Sequence, residues 1–249
     1  MKNLFILIGM PKTGSTSVRN FLFENKKKIE NHYIFDKNHK YGVTSNFFFD
    51  DHNFTYFQSK IKNENFKNFI LVDENFFRKK ILKNFLDKLD TSEIKITFII
   101  CKRKLSEFLK KQWFEINSKF RNDRRENFKD YLKKNELLEN LKFIYDLKNK
   151  YTFISFTYKK NILKTYLQVL EITINDRQEE KHLHETKKNI SYYFLINLIN
   201  RKKHLFFLKY FMILNNYSFI DRWLIKWMDG QILKYFKKNK KLFNYYYSI

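Results

Sequence analysis

Cysteine, proline and glycine are almost missing from this chain: one, one and four residues of 249. A lone cysteine, Cys101, excludes an intrachain disulfide, and its place at the end of an apolar run points to a buried thiol rather than a nucleophile. No stretch approaches the roughly 18 apolar residues that a transmembrane helix needs. The apolar run near the N-terminus is cut at Pro11 and Lys12, short of a signal-peptide core, and no small-residue cleavage site follows. A cytoplasmic protein is expected, working in solution or at the inner face of the membrane. Acidic residues are also in short supply, 26 against 50 Lys and Arg, for a net charge of +24. Such a field gathers polyanions. A coding-level skew towards Lys, Asn, Phe, Ile and Tyr gives the same composition without selection for charge, and nothing singles out DNA or RNA, so no nucleic-acid partner is expected. With 43% hydrophobic residues, the chain can bury the core of one large domain.

Against that scarcity, Gly9-Met10-Pro11-Lys12-Thr13-Gly14-Ser15-Thr16 stands out. It follows the apolar run Leu4–Ile8, which suits a central strand of an α/β sheet. Gly14 lets the backbone curl before a helix begins, and the first free N–H groups of that helix converge on one point, with Ser15 and Thr16 adding hydroxyls. Unpaired donors and the helix dipole together make an anion site. The Gly9-x4-Gly14 spacing mimics a Walker A loop. There, however, lysine follows the second glycine, whereas here Ser15 stands in that place and Lys12 precedes Gly14. The loop is built for phosphate without the arrangement expected for ATP hydrolysis.

Apolar periodicity orders the rest. A helix is expected over residues 15–28 and a short one over 55–63, with residues 30–54 left as turns and a loop. Phe69–Val72 reads as a second strand ending in Asp73-Glu74, followed by a helix carrying Phe77, Ile81, Leu82, Phe85 and Leu89 on one face. Ile94–Cys101 is a third strand, leading through Lys102-Arg103 into a helix from Leu105 to Phe120. Charged helical segments over 122–149, a strand Tyr151–Phe156 and a helix Ile162–Leu170 complete an α/β portion over residues 1–175. Residues 176–249 read as helical, with helices expected over Ile190–Ile199, His204–Leu214 and Phe219–Phe236. Alternating strands and helices imply a P-loop-like parallel sheet flanked by helices, with a helical C-terminal part of the same domain and ligands at the C-terminal strand ends.

The hexapeptide Pro11-Lys12-Thr13-Gly14-Ser15-Thr16 resembles the 5′-phosphosulfate loop of sulfotransferases that use 3′-phosphoadenosine 5′-phosphosulfate (PAPS), in the bacterial carbohydrate and heparan-sulfate-type branch. The resemblance implies that Pro11, Thr13, Gly14, Ser15 and Thr16 hold the 5′-phosphate and that Lys12 both binds the donor and steadies the leaving group. It implies that Arg103, just after a strand, holds the 3′-phosphate. The serine usual eight residues later is Lys111 here, a departure with three outcomes: Lys111 meets the 3′-phosphate as a point charge, Ser106 turns inward instead, or the contact is lost. Glu74 resembles the strand-end glutamate that acts as general base in glycan sulfotransferases, with burial raising its pKa. The acceptor implied is a carbohydrate or glycolipid hydroxyl or amino group, and no metal is needed. Phe156-Thr157-Tyr158 and Asn189-Ile190-Ser191 are similar to later family elements, although Lys159 replaces the acidic residue often found after that tyrosine.

Competing readings stand beside these. Asp73 and Glu74 also fit a helix N-cap, with Asp73 the better cap. His32, His39 and His52 rival Glu74 as base, though their spacing fits no zinc pattern, and His182-x-His184 is too isolated to argue for metal. The tail from Lys237 through Tyr245-Tyr246-Tyr247 fits either a lysine-flanked core helix or peripheral membrane contact. The rival functions are a P-loop small-molecule kinase and a catalytically degenerate homologue binding glycan or membrane.

Overall fold

A computed structural model describes residues 1–10, 14–35, 51–119, 127–158, 162–173 and 218–249. Five strands form one parallel sheet: β1 (Lys2–Gly9), β2 (His32–Ile34), β3 (Asn68–Val72), β4 (Ile94–Lys102) and β5 (Thr152–Thr157), in the spatial order β2-β3-β1-β4-β5. The apolar strand cores explain the choice of all-parallel pairing, since parallel sheets need both faces covered. On one face Phe5, Leu7, Ile70, Val72, Ile99 and Cys101 pack with Val18 and Leu22 of α1 (Ser15–Glu24) and with Leu163 and Tyr166 of α7 (Ile162–Val169). Alternation along the strands sends Leu4, Ile6, Ile8, Phe69 and Phe98 to the other face. There α2 (Asp51–Asn63) and α3 (Lys79–Lys88) supply a ring cluster, with Phe85 within 5.6 Å of Phe57 and 4.9 Å of Phe76.

The described residues divide into two compact units, one drawn from Met1–Arg103, Glu136–Leu183 and Tyr245–Ile249, the other from Lys104–Asn135 and His184–Asn244. The sheet, α1–α3, α6 (Leu137–Leu147) and α7 belong to the first. In the second, α4 (Leu105–Lys119), α5 (Phe128–Lys134) and α8 (Ser218–Lys238) pack through Phe128, whose ring lies 5.5 Å from Trp113 and 6.2 Å from Trp227. Lys110 reaches Asp229 at 2.9 Å, and Tyr235 donates to Asn135 Oδ1 at 3.2 Å. A last helix, α9, spans Lys240–Ser248. No helix among the described residues is long and apolar enough to cross a membrane.

Two expectations need adjusting. The helix foreseen over residues 15–28 ends at Glu24 and passes into a 3₁₀ turn over Lys26–Lys28. Asn25 stops it by aiming both its backbone N–H (3.1 Å) and its side-chain amide (2.9 Å) at the Phe21 carbonyl. The stretch left as loop contains strand β2 and the first turn of α2, which starts at Asp51 rather than residue 55. The helices expected over Ile190–Ile199 and His204–Leu214, with His39, Lys159, His182, His184 and Asn189-Ile190-Ser191, lie outside the described residues.

Strand β2 carries a titratable group into the core. His32 is buried at 6% exposure beside Phe5, with ring centroids 6.4 Å apart, and its Nε2 has no hydrogen-bond partner among the described residues. Burial lowers its pKa from 6.5, against the opposing pull of a hydrogen bond to the Leu170 backbone and the charge of Glu171. The unfolded chain therefore takes up a proton on His32 that the folded chain resists, so stability is lost as pH falls below 6.5 towards the folded pKa. Calorimetry should show the melting temperature falling more steeply between about pH 7 and pH 5 in the native protein than in His32→Phe, around the ordinary histidine pKa of about 6.5. Equal slopes would remove His32 as the source.

Candidate functional site

The parallel register places the chemistry-bearing ends of four strands at one edge of the first unit. Gly9 of β1 stands level with Cys101 of β4, Leu7 with Val72 of β3, and Lys102 with Thr157 of β5. One step beyond lie Met10, Asp73, Arg103 and Tyr158. Ligands of open parallel sheets bind at that edge.

The loop itself, Pro11, Lys12 and Thr13, lies outside the described residues, as does the Thr16 side chain. The turn from the loop into α1 is well defined. Gly14 is the N-cap of α1 in a left-handed conformation, φ 82° and ψ 10°, and provides no capping side chain. The first turn of α1 holds no acidic residue, so the helix supplies no carboxylate of its own to the positive end of its dipole. Val18 donates to the Gly14 carbonyl at 3.1 Å, the first rung of the helical ladder of α1. Ser15 is buried at the same turn.

Tyr158 connects this turn to Arg103. A Cβ placed on Gly14 would sit 2.9 Å from Ile162 Cγ2 and 3.9 Å from Tyr158 Cε2. On the same ring, the Arg103 guanidinium carbon lies 4.6 Å from the centroid, within cation–π range. The Tyr158 N–H donates to Lys102 O at 2.7 Å, and the Tyr246 hydroxyl donates to the Arg103 carbonyl, so both sides of the Arg103 backbone are held. Burial raises the Tyr246 pKa, which keeps that hydroxyl a proton donor. Helix N-terminus, arginine and aromatic ring thus meet at one edge, a set suited to an anionic, ring-bearing ligand.

The carboxylates divide. Asp73 is buried and caps the 3₁₀ turn Glu74–Phe77, its Oδ1 accepting from Asn75 N at 2.8 Å and Asn75 Nδ2 at 3.0 Å. That is the capping alternative, realised in Asp73. Glu74 heads the turn at the loop edge, and its side chain lies outside the described residues. Lys111 is exposed on α4 and belongs to the second unit, whereas Arg103 ends a stretch of the first. Among the histidines, the His52 side chain is not described, and His32 pairs in register with Asn68, itself level with Asn3. Six steps along β1 separate that level from Gly9, about 20 Å at the usual rise of roughly 3.3 Å per residue. His32 is therefore at the wrong edge to serve as a base for a ligand at the loop.

Behind the edge, on the face opposite α1, a small apolar cleft is lined by Met10, Phe77, Ile100, Lys102, Leu141, Ile144, Tyr246 and Ile249. Burial, with the charge of Lys148 adding to it, lowers the Lys102 pKa. Among the described residues no three His, Cys, Asp or Glu side chains are grouped to hold a metal. In the sequence Tyr158 stands out only as part of Phe156-Thr157-Tyr158, similar to a late family element, with no partner assigned to its ring. Its pairing with Arg103 follows from the β4–β5 register, which joins residues more than 50 positions apart. No protein-family model matches the chain, and no curated protein matches it.

Gly14→Ala tests how tightly the turn is built. A side chain in the left-handed region costs about 1–2 kcal/mol, and the close approach to Ile162 adds to this. Chemical denaturation should register a loss of at least that size; a neutral result would mean that the turn relaxes at no cost.

Proposed function

We propose that the chain is a PAPS-dependent sulfotransferase with a P-loop-like fold, moving a sulfuryl group to a hydroxyl or amino group of a carbohydrate or glycolipid. The observation that carries this reading is the convergence of Gly14, Tyr158 and Arg103 at the C-terminal edge of the sheet. It supports a donor with two separate anionic groups, one at the α1 N-terminus and one at Arg103. A parallel sheet in the order β2-β3-β1-β4-β5, with the loop following the central strand, is compatible with the P-loop-like class. The close packing of Ile162, 2.9 Å from where a Cβ on Gly14 would sit, supports a turn held in one shape at the head of α1.

In this mechanism Glu74 takes the acceptor proton as the acceptor oxygen or nitrogen forms its bond to sulfur. The bond between sulfur and the bridging oxygen breaks in line, and its electron pair stays on the departing phosphate. Lys12 offsets that charge, while Arg103 fixes the far end of the donor against the face of Tyr158. The roles of Lys12, Glu74 and Lys111 rest on their places in the sequence; that of Arg103 rests on its geometry as well.

Titration calorimetry with 3′-phosphoadenosine 5′-phosphate tests the reading. Binding in the micromolar range is expected, weakened at least tenfold in Lys12→Ala and in Arg103→Ala, as for loss of a charge-assisted hydrogen bond of about 1.5–3 kcal/mol. Tyr158→Ala should weaken it less and Tyr158→Phe hardly at all, since a cation–π contact needs the ring and not the hydroxyl. Binding of ATP–Mg²⁺ in place of the bisphosphate would overturn the reading in favour of a kinase, and binding of neither in favour of a degenerate homologue.

A further inference from the structure

Helix α8 presents a face for which the transfer chemistry has no use. Between Lys226 and Lys238, Met228, Ile232 and Phe236 are buried, whereas Lys226, Trp227, Leu233, Lys234, Lys237 and Lys238 are exposed. At 3.6 residues per turn the exposed six fall within one arc of about 140°. Gly230 lies in the middle of that arc and adds no side chain. Four of the six are lysines and none is acidic, since Asp229 turns away to Lys110 at 2.9 Å.

Charge alone would suit any polyanion; the apolar members of the arc decide between them. Only five large hydrophobic side chains are exposed among the described residues, and Trp227 and Leu233 are two of them, Leu233 at 60%. Trp227 keeps one side against Phe128, which fixes the ring at the helix surface. A nucleic acid or a glycan would meet the lysines but leave Leu233 in water. A lipid interface accommodates both, because lysine stems lie along apolar surface with their ammonium groups at the headgroups while Trp and Leu enter the acyl boundary.

We propose that this face of α8 docks on an anionic phospholipid surface, with Trp227 and Leu233 inserted and Lys226, Lys234, Lys237 and Lys238 against the headgroups. The proposal is independent of the sulfotransferase reading. It also differs from membrane contact through the tyrosine triplet, in which Tyr246 is buried and Tyr245 packs on Tyr145 at 5.3 Å.

Vesicle flotation of the full chain is the test. The protein should float with vesicles containing about one-third phosphatidylserine, stay behind with pure phosphatidylcholine, and be released by salt. Each Lys→Gln change on the arc should lower partitioning about fivefold, the effect of one basic residue near an anionic surface. Leu233→Ser and the double variant Trp227→Ser/Leu233→Ser should weaken vesicle binding but leave retention on heparin unchanged. Circular dichroism confirms that each variant is folded, and Leu233→Ser, at an exposed position, keeps the test valid should the double variant unfold. Equal binding to neutral vesicles, no vesicle binding, or vesicle binding insensitive to Leu233→Ser would each overturn the proposal, the last leaving a general polyanion surface in its place.

Discussion

Strand β1 is hydrogen-bonded on both sides, to β3 and to β4, and the position of everything at the loop edge depends on those two ladders. A strand with only apolar side chains from Leu4 to Ile8 cannot be exposed on either face, so it takes the centre of the sheet, and its parallel neighbours must align their own ends with it. A slip of one residue in either ladder would turn Ile99 and Cys101, or Ile70 and Val72, away from α1 and α7 and force the differently shaped set of the other face, Phe98 and Ile100 or Phe69 and Leu71, into their place. The hydrophobic cost of that slip is what keeps Gly9, Asp73 and Arg103 at the same edge of the sheet. The polar groups at the edge contribute little to choosing the register, yet they depend on it entirely.

The single-sided chemistry of the edge comes from strand alternation. Arg103 continues the Ile99–Cys101 side of β4 and rests on the Tyr158 ring, whereas Lys102 lines the apolar cleft on the opposite face with Met10 and Leu141. Two adjacent cations therefore have different environments. One rests on an aromatic ring near the head of α1, and the other is partly desolvated, with its pKa lowered. Adjacent positions at the end of one strand thus serve two faces at once.

Much of this was legible in the sequence wherever the signal was local. The long apolar strands β1, β3 and β4, helix α3 with its buried Ile81, Leu82 and Phe85, and the capping role of Asp73 all arise from patterns within a few residues. Strand β2 was not legible, because His32-Tyr33-Ile34 is too short for a period and its pairing is dictated by the edge of β3. The pairing of Tyr158 with Arg103 escaped for the same reason, since it depends on a neighbour in another strand. The tyrosine triplet shows the limit of composition, for three identical adjacent residues have three different fates, with Tyr245 partly covered, Tyr246 buried and Tyr247 exposed. Lys12 and Glu74 remain the converse case, informative by motif and outside the described geometry.

The bond from the Tyr246 hydroxyl to the Arg103 carbonyl spans 143 positions of sequence. Between those two residues the chain crosses from one compact unit to the other four times. The first unit thus cannot complete its contacts as a ribosome delivers them; the stretch 245–249 must return to a sheet whose central pairings are already far apart in sequence. Closing so long a loop costs only modestly more entropy than closing a shorter one, since that cost grows with the logarithm of length, but it places the fold among the slow, non-local topologies. The residue that holds the Arg103 carbonyl is synthesised 143 positions after it, so the edge that carries Arg103 waits for that stretch to gain its last support.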